Sequence, residues 1–173
     1  MQRARSVGYA PAMVTTRTAT RADLPAMADI LNPIIEAGGT TAFEDVFTPE
    51  ALGKVVFDRE DFISAVVAID PEGKVAGFQY LVRLDPPDTD IGGIASFARL
   101  APKCPGAGRA MMAATLIAAR AAGLSAIDAK IRADNVPGLG YYSAMGFQDR
   151  SLIKGVPLND GTPVDRVIKR LTL

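Results

Sequence analysis

Residues 103–109 combine two glycines with two cationic side chains, between a predicted strand and a predicted helix. Gly106 and Gly108 would let the backbone approach a ligand closely, because no Cβ stands in the way. The following helix would direct unpaired amides and the positive end of its dipole at the same place, where Lys103 and Arg109 add charge. These are the parts of a phosphate or pyrophosphate cradle, although the same pattern also forms plain turns. The Gly-Lys-Ser/Thr of a P-loop and the third glycine of a dinucleotide fingerprint are both missing here.

A second segment, residues 135–147, contains an asparagine, two adjacent tyrosines and a closing Gly-Phe pair. Tyr142 offers a phenol that can donate a proton to a group of comparable basicity. The alternative is an aromatic residue packed against a sheet, which is the role we expect for Tyr141. Asn135 can cap the short helix that begins here or bind a ligand, and the sequence leaves both roles open.

The composition limits the chemistry that is available. The chain contains no histidine, which removes the commonest general base, the Ser-His and Cys-His nucleophile pairs and the usual metal ligands. A single cysteine, Cys104, cannot form an internal disulfide and, without histidine, cannot build a zinc site. Proton transfer must therefore use carboxylates, tyrosines, lysines or water, and we expect no metal.

The charge balance and the N-terminal segment exclude several classes of partner. Lys plus Arg and Asp plus Glu both number 19, so a net charge of zero argues against nucleic acid and anionic membrane. No apolar run is long enough to cross a membrane. Residues 1–12 lack an apolar stretch, so we expect a flexible N-terminal tail, no secretory signal and a cytoplasmic protein. Met13 is an alternative natural start, since ordered patterning begins directly after it.

Hydrophobic periodicity predicts the elements that position these segments. Strands are expected at residues 14–20, 63–69, 74–84, 91–100, 125–132, 147–156 and 164–173, and helices at 24–37, 49–57, 109–122 and 136–145. Residues 70–73 (Asp-Pro-Glu-Gly) predict a tight hairpin turn, and residues 85–88 a loop. The pattern is that of one mixed α/β domain, residues 13–173, with a sheet of six or seven strands flanked by four helices.

Together the two segments resemble the GNAT acetyltransferase superfamily. Members of that family carry a Gln/Arg-x-x-Gly-x-Gly/Ala loop and, one helix and one strand later, an Asn with a Tyr seven residues on and a closing Gly-Phe. The matching residues of this chain are Lys103, Gly106, Gly108, Asn135, Tyr142, Gly146 and Phe147. The resemblance implies a GNAT-like domain with a twisted, mixed sheet.

The front of the chain is similar to the phosphinothricin acetyltransferase branch of that superfamily. The similar stretches are residues 32–36 (Asn-Pro-Ile-Ile-Glu), 40–44 (Thr-Thr-Ala-Phe-Glu), 48–50 (Thr-Pro-Glu) and 77–80 (Gly-Phe-Gln-Tyr). Two loop residues depart from the family pattern. Lys103 stands in place of Gln or Arg, and Pro105 supplies no amide hydrogen to the cradle.

The resemblance implies acetyl-CoA as a co-substrate and gives roles to both segments. The cradle that holds the pyrophosphate would consist of Lys103, Cys104, Gly106, Ala107, Gly108 and Arg109. The backbone of the fourth strand would pair with the pantetheine arm and polarise the thioester carbonyl, at Phe97, Ala98, Arg99 and Leu100. Tyr142 would protonate the departing thiolate, and Asn135 would bind the cofactor unless it caps the helix.

The general base is the least defined part of the site. We expect Glu44 to act through water, because its segment resembles the acceptor-binding part of the phosphinothricin-type enzymes; the alternative is a solvated loop glutamate. Glu36 has the same standing, and Asp128 could also face the site. An amine with a depressed pKa would need no strong base. Arg83 and Arg99 could bind a substrate carboxylate, or they are charges on exposed strand positions.

The sequence therefore predicts an N-acetyltransferase that transfers acetyl from acetyl-CoA to a primary amine of a small molecule, amino-acid-like or xenobiotic, in a ternary complex. The alternatives are transfer to a protein or peptide amine and a non-catalytic acyl-CoA-binding module. Many members of the family are dimers. Apolar residues of the closing strands could contribute to a homodimer interface: Val164, Val167, Ile168 and Leu171.

Overall fold

The structure is a computed structural model that describes residues 13–84 and 90–173. The predicted N-terminal tail and the predicted loop at residues 85–88 lie outside the described residues. The strands are β1 (Thr15–Thr18), β2 (Phe62–Ile69), β3 (Val75–Arg83), β4 (Ile91–Ala98), β5 (Ala126–Arg132), β6 (Gln148–Pro157) and β7 (Pro163–Thr172). The helices are α1 (Leu24–Ala37), α2 (Pro49–Val56), α3 (Ala107–Ala121) and α4 (Val136–Ala144). The predicted elements and their order are confirmed.

Most element ends follow from local sequence. Before α1, the backbone N–H of Thr20 donates to Asp23 Oδ2 at 2.8 Å, and Gly38 ends the helix with a φ of 71°. Thr48 caps α2, since its Oγ1 accepts from the backbone N–H of Ala51 at 3.2 Å. α3 differs from the prediction. It begins at Ala107, two residues earlier than expected. Gly106 directly precedes it in the left-handed conformation, with a φ of 87°, which glycine adopts without strain.

One continuous sheet contains all seven strands, in the order β1-β2-β3-β4-β5-β7-β6. Among the strands of residues 13–84 and 90–173, β4 and β5 are the only parallel pair, and every other neighbouring pair is antiparallel. β6 is therefore an edge strand, and β7 lies between β5 and β6.

The parallel ladder between β4 and β5 is short. It runs from Ile91 opposite Ala126 to Ile94 opposite Ala129 and then stops. β4 continues to pair with β3 as far as Ala98, and β5 continues to pair with β7 as far as Arg132. A wedge therefore opens between β4 and β5 beyond Ile94, inside an otherwise continuous sheet.

The helices cover the two faces of the sheet and bury a separate core on each. Alternate residues of β3 point to opposite faces. Phe78 and Tyr80 pack in a cluster with residues of α1 and α2, whereas Leu81 packs with Ile127 of β5 and with residues of α3 and α4. Within the described part of the chain, no helix combines the length and the apolar character that a bilayer span requires.

Candidate active site

The wedge leaves backbone groups of β4 without a strand partner. The N–H of Arg99 donates to the carbonyl of Ala76 on the β3 side, at 2.9 Å. In an antiparallel pair, successive residues direct their peptide groups to opposite sides of the strand. The peptide groups of Phe97 therefore face β3, and those of Ser96 and Ala98 face the wedge. Ser96 is half-buried and Ala98 is exposed, so these peptide groups are accessible and an extended polar chain in the wedge can pair with them.

This alternation revises the prediction for the end of β4. Sequence analysis assigned the pairing to four residues from Phe97 to Leu100, but the backbone of Phe97 is used by β3, where Phe97 lies opposite Phe78. The strand ends at Ala98, before the predicted Leu100. Leu100 lies beyond the strand with about half of its surface exposed.

The side chains of Arg99 and Arg83 bind the protein's own framework. Arg99 donates from Nη2 to Asp70 Oδ2 at 2.9 Å and from Nε to the carbonyl of Pro102 at 2.7 Å. It thereby ties the exit of β4 to the β2–β3 turn. Arg83 donates to the carbonyl of Ala122 at 2.7 Å. These contacts favour a structural role for both arginines over the binding of a substrate carboxylate.

A hydrogen-bonded network of four side chains lies at the wedge, on the face covered by α3 and α4. Gln79 and Ser96 are cross-strand partners, and Gln79 Nε2 donates to Ser96 Oγ at 2.6 Å and to Tyr141 Oη at 3.3 Å. The hydroxyls of Ser96 and Tyr142 are 2.8 Å apart. Tyr141 in turn donates to the carbonyl of Gly108 at 2.9 Å. The network connects the predicted acid, Tyr142, to the first turn of α3.

The hydrogen-bond donors in this network allow the O–H bond of Tyr142 to point away from Ser96. Gln79 Nε2 can only donate, so it occupies a lone pair of Ser96 Oγ. The hydroxyl proton of Ser96 can then be donated to Tyr142 Oη, which leaves the phenolic proton of Tyr142 available to a group in the wedge. Burial raises the pKa of Tyr142, and the hydrogen bond from Ser96 opposes this shift. Tyr142 therefore keeps its proton at neutral pH.

Tyr141 packs against the core cluster under α3 and α4, as predicted, and its hydroxyl is in addition part of this network. Sequence analysis did not identify Ser96 or Gln79 as site residues. The signal for both was a small or polar residue inside an otherwise apolar strand. Their partnership was not readable, because it depends on the register between β3 and β4.

The two glycines of the predicted cradle are required for different reasons. Gly106 needs its positive φ, and nothing lies within 4 Å of a Cβ built there. Gly108 lies within the first turn of α3, and a Cβ built there would be 2.7 Å from Cε2 of Tyr141. The amides of Gly108 and Arg109 lie in the first turn, where a helix has no carbonyl of its own to offer them. They can therefore serve an anion.

The cationic side chains of the segment lie beside a cavity of about 710 Å³. Lys103, Cys104, Gly106 and Arg109 line it together with the β2–β3 turn. The side chain of Ala107 is buried in the core, so only its backbone can contact a ligand. In the described residues, no group of His, Cys, Asp and Glu side chains is placed to hold a metal ion.

The remaining predicted residues bind neighbouring loops. Asn135 Oδ1 accepts from the N–H of Gly138 at 2.9 Å, which caps α4, and its Nδ2 donates to the carbonyl of Thr40 at 2.7 Å. The carboxylate of Glu44 accepts the backbone N–H of Asn159, in the β6–β7 turn, at 2.9 and 3.0 Å. The loop between α1 and α2 is thereby held against both α4 and the β6–β7 turn.

Asp128 is engaged in ion pairs. It accepts from Nε and Nη2 of Arg170 at 2.6 and 2.8 Å and from Arg150 at 3.2 Å. This arrangement favours a structural role for Asp128 over that of a general base.

No protein-family model matches the sequence, and a comparison with curated proteins finds no match either. Solved structures do match. A candidate phosphinothricin N-acetyltransferase is 26% identical, with a TM-score of 0.79 over 92% of this chain and 98% of that chain. A ribosomal-protein-alanine N-acetyltransferase from Brucella melitensis is 24% identical, with a TM-score of 0.81 over 91% of this chain and 99% of that one.

A third match is a GNAT superfamily phosphinothricin acetyltransferase from Sinorhizobium meliloti, solved in complex with acetyl-CoA. It is 20% identical, with a TM-score of 0.80 over 93% of this chain and 89% of that chain. Two of these neighbours are named for phosphinothricin and one for a ribosomal-protein alanine, so one fold serves different acceptors and does not determine the acceptor. The described residues have the fold of these acetyltransferases, one sheet with seven strands in this order and a wedge between β4 and β5.

Proposed function

We propose that this chain is an acetyl-CoA-dependent N-acetyltransferase that acetylates a primary amine of a small molecule. The main observation that supports this proposal is the wedge between β4 and β5. It offers the peptide groups of Ser96 and Ala98 to an extended chain, as a third strand would, and the pantetheine arm of acetyl-CoA is such a chain. Tyr142 contacts Ser96 of β4 beside this wedge, and its proton can be donated when Ser96 is the donor of their hydrogen bond. The GNAT neighbour with bound acetyl-CoA supports this assignment.

The first turn of α3 suits the pyrophosphate of the same substrate. The amides of Gly108 and Arg109 and the positive end of the helix dipole favour a negative group there. Lys103 and Arg109 add two cationic side chains beside it. Cys104 and Gly106 would contribute backbone groups, whereas the side-chain amide of Asn135 is already committed to Gly138 and Thr40.

The transfer requires one bond to form and one to break. The nitrogen of the neutral amine attacks the thioester carbonyl carbon, the C–N bond forms, and the C–S bond breaks. A peptide N–H of β4 in the wedge can donate to the carbonyl oxygen while its negative charge grows. The amine loses one proton to water, with Glu44 as the predicted base, and the departing thiolate sulfur takes the proton of Tyr142. The phenolate then regains a proton from solvent, so the products are CoA thiol and the acetylated amine.

Tyr142 is suited to this acid role by its surroundings. Burial keeps the phenol protonated, because it raises the pKa of Tyr142. Ser96 can donate to the phenolate oxygen that forms when the proton leaves, which stabilises the product of the transfer. Glu44, acting through water, remains our prediction for the base, because its segment resembles the acceptor-binding part of the phosphinothricin-type enzymes. Its two oxygens also accept from the backbone N–H of Asn159, so a water would have to use their remaining lone pairs.

The experiment that tests the proposal pairs binding with turnover. Titration calorimetry of the purified chain should give saturable binding of acetyl-CoA, and a thiol-release assay over a panel of primary amines should show acetylation. Tyr142→Phe should lower kcat by roughly 10²- to 10⁴-fold, the usual contribution of a general acid, with binding of acetyl-CoA unchanged.

Tyr80→Phe is the matched control, because Tyr80 is also a buried phenol but packs with α1 and α2 on the opposite face. It should leave kcat unchanged. The absence of saturable acetyl-CoA binding would refute the proposed function. A Tyr142→Phe variant with normal kcat would refute only the acid role.

We also propose that the chain forms a homodimer, with β6 rather than β7 at the interface. The predicted interface residues belong to β7, which is paired on both sides by β5 and β6. Among the described strands, β6 is paired on one side only. The residues Leu152 and Ile153 of this strand are 49% and 41% exposed. An edge strand with unpaired backbone groups and exposed apolar side chains can pair with the same strand of a second copy.

A further inference from the structure

Two polar side chains in the core beneath α3 each have an oxygen atom without a hydrogen-bond partner. Gln79 of β3 and Thr115 of α3 are 0% and 1% exposed. Among the described residues, no group forms a hydrogen bond with Gln79 Oε1 or with Thr115 Oγ1. Buried polar atoms in native proteins are satisfied by protein groups or by ordered water, because an unpaired one costs free energy. Both oxygens therefore require a partner that the side chains around them do not supply.

The hydrogen bonds of Tyr141 determine which way the amide of Gln79 points. The carbonyl of Gly108 can only accept, so the hydroxyl of Tyr141 donates its one proton there. Tyr141 Oη can then only accept from Gln79, and the amide atom that faces it must be Nε2. The same Nε2 donates to Ser96 of β4. Gln79 Oε1 therefore lies on the other side of the amide, away from Ser96.

Thr115 lies over the part of β3 that contains this amide. Met111, one helical turn before Thr115, lies over Gly77, because its Cε is 3.0 Å from a Cβ built on that glycine. Ala119, one turn after Thr115, belongs to the same core cluster as Leu81. Four helical residues advance about 6 Å and two strand residues about 7 Å. The threonine is therefore level with the glutamine, which is midway between Gly77 and Leu81 on this face.

The shared position of the two oxygens fits one bridging water molecule. Both oxygens lie beneath α3 on the same face of β3, and they are not hydrogen-bonded to each other. A buried water requires roughly two to four polar partners. Water can donate to Gln79 Oε1, which only accepts, and it can donate to or accept from the hydroxyl of Thr115. An apolar group could satisfy neither oxygen.

We propose that Gln79 and Thr115 bind one buried water, which begins a row of hydrogen-bond donors that ends at the hydroxyl of Tyr142. The water donates to Gln79 Oε1, Gln79 Nε2 donates to Ser96, and Ser96 donates to Tyr142. The inference rests on the proposed acetyltransferase function and deepens it. It makes Thr115 a positioning residue for the acid, although Thr115 contacts neither substrate.

The row affects the strength of the acid because hydrogen bonds in series polarise one another. A donor at Oε1 of Gln79 makes its NH2 group a stronger donor to Ser96. The hydroxyl of Ser96 then becomes a stronger donor to Tyr142 and stabilises the phenolate that forms when the proton leaves. The hydroxyl of Thr115 holds the first donor of the row in place.

Thr115→Val tests this role, because valine keeps nearly the same shape and lacks the hydroxyl. We expect kcat to fall roughly 2- to 5-fold with KM unchanged, and Thr115→Ser to restore it. Ser64→Ala is the matched control. Ser64 Oγ is also a buried oxygen without a described partner, but Ser64 lies opposite Leu81, two cross-strand pairs from Gln79. It should leave kcat unchanged.

A double-mutant cycle separates this role from a general effect on the core. The row reaches Tyr142 only through Ser96, so Thr115→Val should cause no further loss of kcat in the Ser96→Ala variant. Losses that multiply in the double variant would overturn the inference, because Thr115 would then act independently of Ser96. An unchanged kcat in Thr115→Val, or an equal loss in Ser64→Ala, would overturn it as well.

The water can be observed without any acetyl transfer. A crystal structure of the full chain should show one water at hydrogen-bond distance from both Gln79 Oε1 and Thr115 Oγ1, and Thr115→Val should lose it. A wild type without this water would overturn the inference and leave the acetyltransferase function intact. If the wild type acetylates no amine, the role of Thr115 falls, and the binding of acetyl-CoA decides whether the proposed function falls with it.

Discussion

At the scale of single residues, the site depends on the direction of one proton. The amide of Gln79 donates to the hydroxyl of Ser96, which can then donate its own proton to the hydroxyl of Tyr142. A tyrosine that accepts from Ser96 offers its own proton to the wedge. The family motif identifies Tyr142 from the sequence, but it contains no information on the two residues that orient it.

Ser96→Ala tests this arrangement. The hydrogen bond from Ser96 lowers the pKa of Tyr142, so its removal raises that pKa further and makes the phenol a weaker acid. Loss of one such bond costs about 1 kcal/mol, so kcat should fall about 5-fold with little change in KM. Ser96→Thr keeps the hydroxyl and should restore most of the activity.

Ser64→Ala is the control for Ser96→Ala, because the hydroxyl of Ser64 is buried in β2 without a described partner. Its removal should leave kcat unchanged. The measurement is kcat between pH 6 and pH 9 for all four proteins. An unchanged kcat in Ser96→Ala across this range would contradict an orienting role for Ser96.

At the scale of elements, the order of helices and strands could be predicted because it follows from local periodicity and turn residues. Local sequence could not predict the wedge or the reason for Gly108. The wedge depends on where a ladder between β4 and β5 stops, which is a matter of tertiary geometry. The reason for Gly108 also lies far away in sequence, because the atom that excludes a Cβ belongs to Tyr141, 33 residues later.

Gly108→Ala should therefore act through Tyr141. The added methyl would lie 2.7 Å from the ring, so the ring must move and its bond to the carbonyl of Gly108 weakens. Overpacking of this kind costs about 1–3 kcal/mol in the free energy of unfolding. The measurement is denaturant unfolding of the purified variants.

Gly140→Ala is the matched control for Gly108→Ala. Gly140 lies in α4, and nothing lies within 4 Å of a Cβ built there. Alanine should stabilise this helix by up to about 1 kcal/mol. If the two variants unfold at the same denaturant concentration, the contact between Gly108 and Tyr141 does not constrain the helix start.

At the scale of the whole molecule, the two faces of the sheet hold different groups of polar residues. The face under α3 and α4 holds the hydroxyl network and presents the helix start to an anion. The other face holds Arg132 and Arg166, near the loop between α1 and α2. The wedge opens between these faces, so under the proposed function a thioester in it would meet the acid from one side and the amine from the other.

The edge strand β6 provides the last prediction. Leu152 and Ile153 are exposed on a strand of ten residues whose outer edge is unpaired. We expect the wild-type chain to sediment as a dimer at micromolar concentration, and the double variant Leu152→Lys with Ile153→Lys as a folded monomer. Ile117→Lys is the control, because Ile117 is an exposed apolar residue of α3, remote from this edge, and it should remain dimeric. A monomeric wild type would overturn the proposed homodimer, and a monomeric Ile117→Lys would move the interface to α3.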